Sequence, residues 1–499
     1  MLKNYKLKNY KLEDLYKLEK HKETNKTKEN SATIQERKQL YGEVQTPLFF
    51  VEKILSIIPT SIYRNPALKW LDPGAGTGNF SIILYFKLMS GLESIMPVIK
   101  ERSDHIIQNM IYIVELRPEN IIILKTIFGQ DANIYECDFL AFEHVASLSL
   151  FDIIIGNPPF NYNGLKKVPT NSTEKKTQDG NTIWTHFVKK CVALLKPETG
   201  LLCIFIPSIW LKPDKEKMYE YLTQYDIQSL NCISNTETNR IFKGNAQTPS
   251  CYFLLTKRLS TGTISIFDTD QNKYIDYYLL KNEPIPVFGQ AIIQKLQKYT
   301  TMPTATATAT ATAFKSNYIE VIKTNMPSIK VKISADKTDE YKYANISTCR
   351  LKKDNLSPEL IINYSNKPLT FAGIPKLVLA HKMYGFPYLD LSGQYGISNR
   401  DNYIILKENP EELIMLQKFL STKTALYLFE ATRYRMKYLE RYAFELIPDI
   451  TQIPDFNNKI NIKKEIKEIN DETIADYFGF DETDRQHIQK LHSKNYNFF

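Results

Sequence analysis

Leu68 to Phe80 reads L-K-W-L-D-P-G-A-G-T-G-N-F and runs into the apolar, helix-like stretch Ser81 to Leu88. An apolar run that breaks into alternating glycines, Gly74, Gly76 and Gly78, and then opens a helix predicts the first strand-to-helix turn of a doubly wound α/β sheet. Glycines there let the backbone approach a ligand closely, and the helix N-terminus directs free amides at it. The spacing is not the G-x-G-x-x-G of dinucleotide enzymes, and no Lys-Ser/Thr pair completes a phosphate loop. Hydride transfer and nucleotide hydrolysis therefore both recede.

The elements that follow fit the same sheet. Ile111 to Val114 reads as a second strand ending in Glu115, and Asn133 to Glu136 as a third leading into Asp138 and Phe139. An acid at the end of the second strand is well placed to accept from ribose hydroxyls. Phe151 to Phe160, F-D-I-I-I-G-N-P-P-F, reads as a buried strand that breaks at Gly156 and presents Asn157, Pro158, Pro159 and Phe160 at its carboxyl end. Two consecutive prolines hold that corner extended. An amide oxygen, a carbonyl and an aromatic face on a rigid turn suit a flat polar ring with an exocyclic amine.

Around this centre, Thr46 is expected to cap a helix whose first residue is Pro47, with Phe50, Ile54, Leu55 and Ile58 on its buried face. A further helix is expected over Thr182 to Leu195, and strands over Gly200 to Pro207 and Gln247 to Lys257. The alternation from Tyr41 to about Arg258 thus describes one α/β domain with a mostly parallel sheet. Residues 1 to about 38 are lysine-rich and open with a K-N-Y-K-L tandem repeat. They are read as a solvated or partly disordered arm, with contact to phosphates as the second reading. The polar, lysine-rich Asn161 to Asn181 is read as a functional loop beside the site.

Beyond Arg258 the pattern thins. Thr304 to Ala313 is a bare Thr-Ala repeat, taken as a flexible insertion. Ile374 to Lys382 and Asn402 to Leu406 are strand-like, and Glu411 to Tyr442 is expected to be helical. In that helix Arg433, Lys437 and Arg441 would share one cationic face, read first as a solvated face and, because tyrosines lie between, second as a nucleic-acid surface. Asn470 to His492 reads as two short helices with a turn near Gly479.

Bulk properties set outer bounds. A chain of 499 residues accommodates two or three domains, and 64 basic against 55 acidic residues give a net charge of +9, a modest lean towards a polyanion. The six cysteines are scattered, without a C-x-x-C pair, so neither a disulfide frame nor a zinc site is expected. No apolar run is long enough to span a bilayer, and the expectation is a soluble protein of a reducing compartment.

The ordered set Gly42 with Thr46-Pro47, D-P-G-A-G-T-G at Asp72 to Gly78, Glu115, Asp138-Phe139 and N-P-P-F at Asn157 to Phe160 resembles the S-adenosylmethionine-dependent amino-methyltransferases of DNA. The order is similar to the gamma arrangement of N6-adenine enzymes of type II restriction-modification systems, over about Tyr41 to Lys257. The resemblance implies a Rossmann-like methyltransferase domain at 39–259 and a mixed α+β target-recognition region at 260–499. It implies S-adenosylmethionine as cofactor, with Gly74, Gly76 and Gly78 along its methionine part and Thr46 and Pro47 closing over that end. Asp72, followed by Pro73, would order the loop, Glu115 would hold the ribose and Asp138 the adenine, with Phe139 against its face. Asn157 and Pro158 would grip the target amine, ahead of Pro159, and Phe160 would stack on a base extruded from double-stranded DNA. No metal is implied. N-P-P-F also occurs in methyltransferases of protein glutamine and RNA guanine, and cytosine N4 is a further alternative. A fused nuclease is another, because Pro454-Asp455 and Glu465-Ile466-Lys467 imitate a P-D...E-x-K core.

Overall fold

The structure is a computed structural model. It describes residues 7, 11–24, 41, 44–141, 150–162, 181–279, 282–303, 314–352, 358–381, 386–435, 439–453, 456 and 469–491. Gly42, the lysines of the 163–180 loop, the Thr-Ala repeat, Lys437 and the P-D...E-x-K residues lie outside them. The chain divides into two compact units, Met1–Phe267 and Asp268–Phe499.

The first unit contains α1 (Leu12–Thr24), α2 (Leu48–Leu55), β1 (Trp70–Pro73), α3 (Asn79–Gly91), β2 (Ile111–Glu115), α4 (Pro118–Phe128) and β3 (Asn133–Glu136). These are followed by β4 (Ile153–Gly156), α5 (Trp184–Leu194), β5 (Leu201–Pro207), β6 (Tyr225–Ile233), α6 (Asn235–Ile241), β7 (Ser250–Leu259) and β8 (Thr263–Asp268). Its strands form one sheet in the order β8-β6-β7-β5-β4-β1-β2-β3. The pairs from β5 through β4, β1 and β2 to β3 are parallel. β7 runs antiparallel to both β5 and β6.

Every residue of β1, β2, β4 and β5 is buried, which is why these strands read as unbroken apolar runs: a parallel sheet is covered on both faces. On one face α2 packs Phe50 edge-on against Phe205 of β5 at 5.4 Å and against Tyr252 of β7 at 5.9 Å. Strand order reverses between β1 and β4, and the carboxyl ends of two adjacent parallel strands at such a reversal leave a crevice.

The described part of the N-terminal arm is not a solvated tail. Leu15 of α1 is buried together with Leu7 in the core of the first unit. The Tyr16 hydroxyl donates to Glu52 of α2, and the Glu19 carboxylate accepts the Leu48 amide at 3.2 Å. Lysine content hides this anchorage, because a few leucines at helical spacing fix a helix whatever its outer face carries.

The second unit is mixed α+β. Lys376–Ala380 and Asn402–Ile405 pair antiparallel, as do Tyr343–Leu351 and Pro358–Ser365. A buried ion pair, Lys376 Nζ to Asp390 at 2.6 Å, ties Lys376–Ala380 to Tyr388–Asp390. Helices Pro410–Leu420 and Lys423–Ala431 follow, and later Asp471–Phe478 and Glu482–Leu491 flank Gly479, which has φ +69°. Among the described residues the expected continuous helix over Glu411 to Tyr442 is not found, and the Lys437 position of its cationic face lies outside them. The helix stops at Ala431, where the Thr432 hydroxyl turns back on the Leu428 and Phe429 carbonyls. Arg433 pairs with Glu430, Arg441 with Glu445, and Tyr434 is buried with its hydroxyl on the Ile285 carbonyl.

Candidate active site

The carboxyl ends of β1, β2 and β4 open into a cavity of about 660 Å³, a size that holds a cofactor. Its floor is the glycine loop. Gly74, Gly76 and Gly78 have φ of +92°, +58° and +89°, a region that side chains rarely enter. The Gly74 and Ala75 amides donate to the Val114 carbonyl, at 2.8 and 3.1 Å, so the loop is folded back over the end of β2. At Gly76 a side chain would meet no atom within 4 Å, so its backbone borders open space.

Three carboxylates were expected here, and their partners differ. Asp72 is buried and accepts from the Ser81 hydroxyl at 2.7 Å, which ties the end of β1 to α3 beneath the loop. Burial, reinforced by the Glu115 charge and partly offset by Ser81, pushes its carboxyl up to about 7. Glu115 accepts from the Gly76 amide at 2.7 Å, from the Arg117 amide at 2.9 Å and from Asn120 Nδ2 at 3.3 Å. Asp138 accepts the Leu140 amide at 2.9 Å, an arrangement that orders the turn after β3. Phe139 packs on Phe187 of α5 at 5.2 Å, with Lys190 Nζ 5.3 Å from its ring centre.

The double-proline corner enters the same cavity. Gly156, at φ +154°, ends β4, and a side chain there would lie 3.5 Å from the Asp72 carboxylate. Pro159 reaches within 3.9 Å of the position that a Gly74 side chain would take, so the corner lies against the glycine loop. Asn157 Nδ2 donates to Thr46 Oγ1 at 3.0 Å and approaches the Val44 carbonyl at 3.5 Å. Its Oδ1 is buried and has no hydrogen-bond partner among the described residues. Leaving such an acceptor unpaired costs about 1 to 3 kcal/mol. Phe160 lines the cavity and packs on Phe205 at 6.1 Å.

Thr46 departs from expectation. Helix α2 starts at Leu48 with Pro47 as its cap and has no side-chain capping bond. The Thr46 hydroxyl faces Asn157 instead, while Glu19 serves the Leu48 amide. Thr46, Asp72, Gly74, Gly76, Glu115, Asp138, Phe139 and Asn157 to Phe160 all border the cavity, whereas Pro47, Pro73 and Gly78 do not. Gly78 supports the loop from behind, against Leu124. Sequence reasoning missed the segment Phe242 to Thr248, which forms another wall. Its one signal was Gly244 two residues after an apolar Phe242; Lys243 and Gly244 both have positive φ.

Among the described residues no group of His, Cys, Asp and Glu could hold a metal. No helix among them is long and apolar enough to cross a membrane.

Residues 78–242 match the family model described as Eco57I restriction-modification methylase. No curated protein matches the chain. Among solved structures, the modification subunit of a candidate type I restriction enzyme from Vibrio vulnificus YJ016 is 14% identical, with 62% of each chain covered and a TM-score of 0.37. A type I restriction-modification methyltransferase subunit from Streptococcus thermophilus is 16% identical, covering 51% of this chain and 52% of that one, at 0.33. A candidate class I S-adenosylmethionine-dependent methyltransferase from Listeria monocytogenes is 18% identical, covering 43% and 61%, at 0.29. The chain spans less than two thirds of each. The family match takes in part of the glycine loop, Glu115, Asp138 and the N-P-P-F corner. Over residues 78–242 the first unit is thus similar to the restriction-modification methylases that this family model describes.

Proposed function

We propose that the first unit transfers a methyl group from S-adenosylmethionine to the N6 amine of adenine in a specific sequence of double-stranded DNA. The observation that carries the proposal is the Asn157 amide, whose nitrogen is held by Thr46 and Val44 while its buried oxygen is left without a partner at the cavity. A lone acceptor at the edge of a cofactor-sized cavity suits a donor that arrives with substrate, and an exocyclic amine is such a donor.

The cavity fits the cofactor on two counts: open space at the Gly76 backbone and a volume that takes a nucleoside with an amino-acid tail. When bound, S-adenosylmethionine supplies a methyl group already activated on a sulfonium. The glycine loop and the start of α3 would hold its methionine part, Glu115 its ribose and Asp138 its adenine, with Phe139 behind. The protein's share of the chemistry is positioning. The lone pair of an aromatic amine is shared with its ring. Acceptance of both amine hydrogens by Asn157 Oδ1 and the Pro158 carbonyl favours the pyramidal nitrogen that attack requires. A base inside a duplex cannot reach this cavity, so it is flipped out at a cost of a few kcal/mol. Stacking on Phe160, worth about 1 to 3 kcal/mol, offsets part of that cost.

The test is transfer of labelled methyl from S-adenosylmethionine to mixed-sequence duplex DNA, with base-resolved mapping of the label. Label on adenine N6 is the expected result; label on cytosine, or transfer to RNA or protein supplied in parallel with none to the duplex, overturns the assignment. Asn157→Ala should bind the cofactor with unchanged affinity and lose transfer, and full activity in that variant contradicts the role given to the amide.

A further inference from the structure

Thr46 makes two different hydrogen bonds. Its hydroxyl takes Asn157 Nδ2 at 3.0 Å, and its carbonyl takes Asn79 Nδ2 at 2.7 Å. Asn79 is the first residue of α3, directly after Gly78, so it reports the position of the glycine loop. Asn157 is the acceptor for the incoming amine. One buried residue, 4% exposed, therefore spans the two halves of the site.

We infer that Thr46 is a positioning residue that fixes the amide of Asn157 relative to the cofactor loop, and that this, not contact with the cofactor, is its principal role. The inference rests on the function proposed above for Asn157. An amide presents oxygen and nitrogen at similar positions, and half a turn about its last bond exchanges them. A hydroxyl can donate or accept, so Thr46 alone holds the amide without choosing its direction. The Val44 carbonyl, 3.5 Å from Nδ2, can only accept, and a flipped amide would set two oxygens against each other. Val44 thus selects the orientation and Thr46 fixes its position, leaving Oδ1 to the substrate. Methyl transfer needs nitrogen and carbon aligned to within fractions of an ångström, and a misplacement of about 1 Å costs about 10²-fold in rate.

Thr46→Val keeps the branched shape and the backbone carbonyl bond to Asn79 while deleting the hydroxyl; Thr46→Ser keeps the hydroxyl. With the full-length protein, S-adenosylmethionine and adenine-containing duplex, Thr46→Val should lower kcat by about 10²-fold, with cofactor Kd within twofold of wild type. Thr46→Ser should recover most of the rate. The second readout needs no activity. The ¹⁵N side-chain amide signal of Asn157, identified by its loss in Asn157→Ala, should shift in Thr46→Val and return in Thr46→Ser. An unmoved amide signal overturns the inference, as does a weakened cofactor Kd with unchanged kcat. If the wild type methylates no DNA, the proposed function fails, and the amide signal still decides whether Thr46 holds Asn157.

Discussion

Gly76 and Gly78 stand two residues apart in one loop and share a positive φ, but differ in what a side chain would meet. At Gly78, φ +89°, a side chain would begin 2.7 Å from Leu124 Cδ2 of α4, so alanine there strains the backbone and must also displace the Leu124 side chain. Gly78→Ala should cost about 1 to 3 kcal/mol, the range of local backbone strain, and lower the Tm measured by thermal unfolding. Gly76→Ala meets nothing within 4 Å and carries only the strain of its φ of +58°, so its Tm should fall less than that of Gly78→Ala while cofactor affinity, measured by calorimetry, falls. Asp72 gives a pH prediction at the same scale. Its carboxyl is pushed up to about 7, chiefly by burial, so the folded chain keeps a proton there that the unfolded chain has released above about pH 4. The group's contribution to stability therefore falls as pH rises from about 4 to 7 and is level above that. Asp72→Asn removes the titration, and its Tm relative to wild type should climb across this window; a constant difference contradicts the shifted carboxyl. Residue types were legible at these positions because glycine and acid have few uses at strand ends. The partners of Thr46 were not. Its capping propensity and its bond to Asn157 start from the same hydroxyl, and the second depends on a residue 111 positions away.

Among the elements, α1 carries the most information that the sequence concealed. Leu15 is 5% exposed, and Leu15→Ala should destabilise the first unit by about 2 to 5 kcal/mol, the cost of a buried leucine truncation. A denaturation midpoint equal to wild type would return α1 to the status of a solvated arm. Strands β1, β2, β4 and β5 were readable because burial on both faces of a parallel sheet leaves each an apolar run. β6 was not: Tyr225–Ile233, Y-D-I-Q-S-L-N-C-I, interleaves polar residues among apolar ones and has two register shifts against β7. The segment after Ala431 failed for the opposite reason. Arg433, Lys437 and Arg441 have helical spacing, yet spacing does not report that Tyr434 is drawn into the core by the Ile285 carbonyl. Local periodicity was decisive only where no distant group competed for the same residue.

For the whole molecule, composition and site make separable claims about binding. The 64 basic and 55 acidic residues leave a net charge of +9, a property of the entire surface. The cavity is built of hydrogen-bonding groups and apolar walls and meets a small ligand. If the partner is duplex DNA, cations that neutralise phosphates release counterions, and the logarithm of affinity falls linearly with the logarithm of salt, by about 0.9 for each phosphate contacted. Six to ten such contacts would lose about 10³ to 10⁵ in affinity between about 50 and 200 mM salt. Cofactor affinity over the same range should be nearly flat, because a buried, largely hydrogen-bonded ligand displaces few ions. Fluorescence anisotropy with a labelled duplex and calorimetry with S-adenosylmethionine, run on one preparation of the full chain, measure both slopes. A flat duplex slope alongside intact cofactor binding would separate the first unit from duplex DNA and redirect the search for its substrate to RNA or protein.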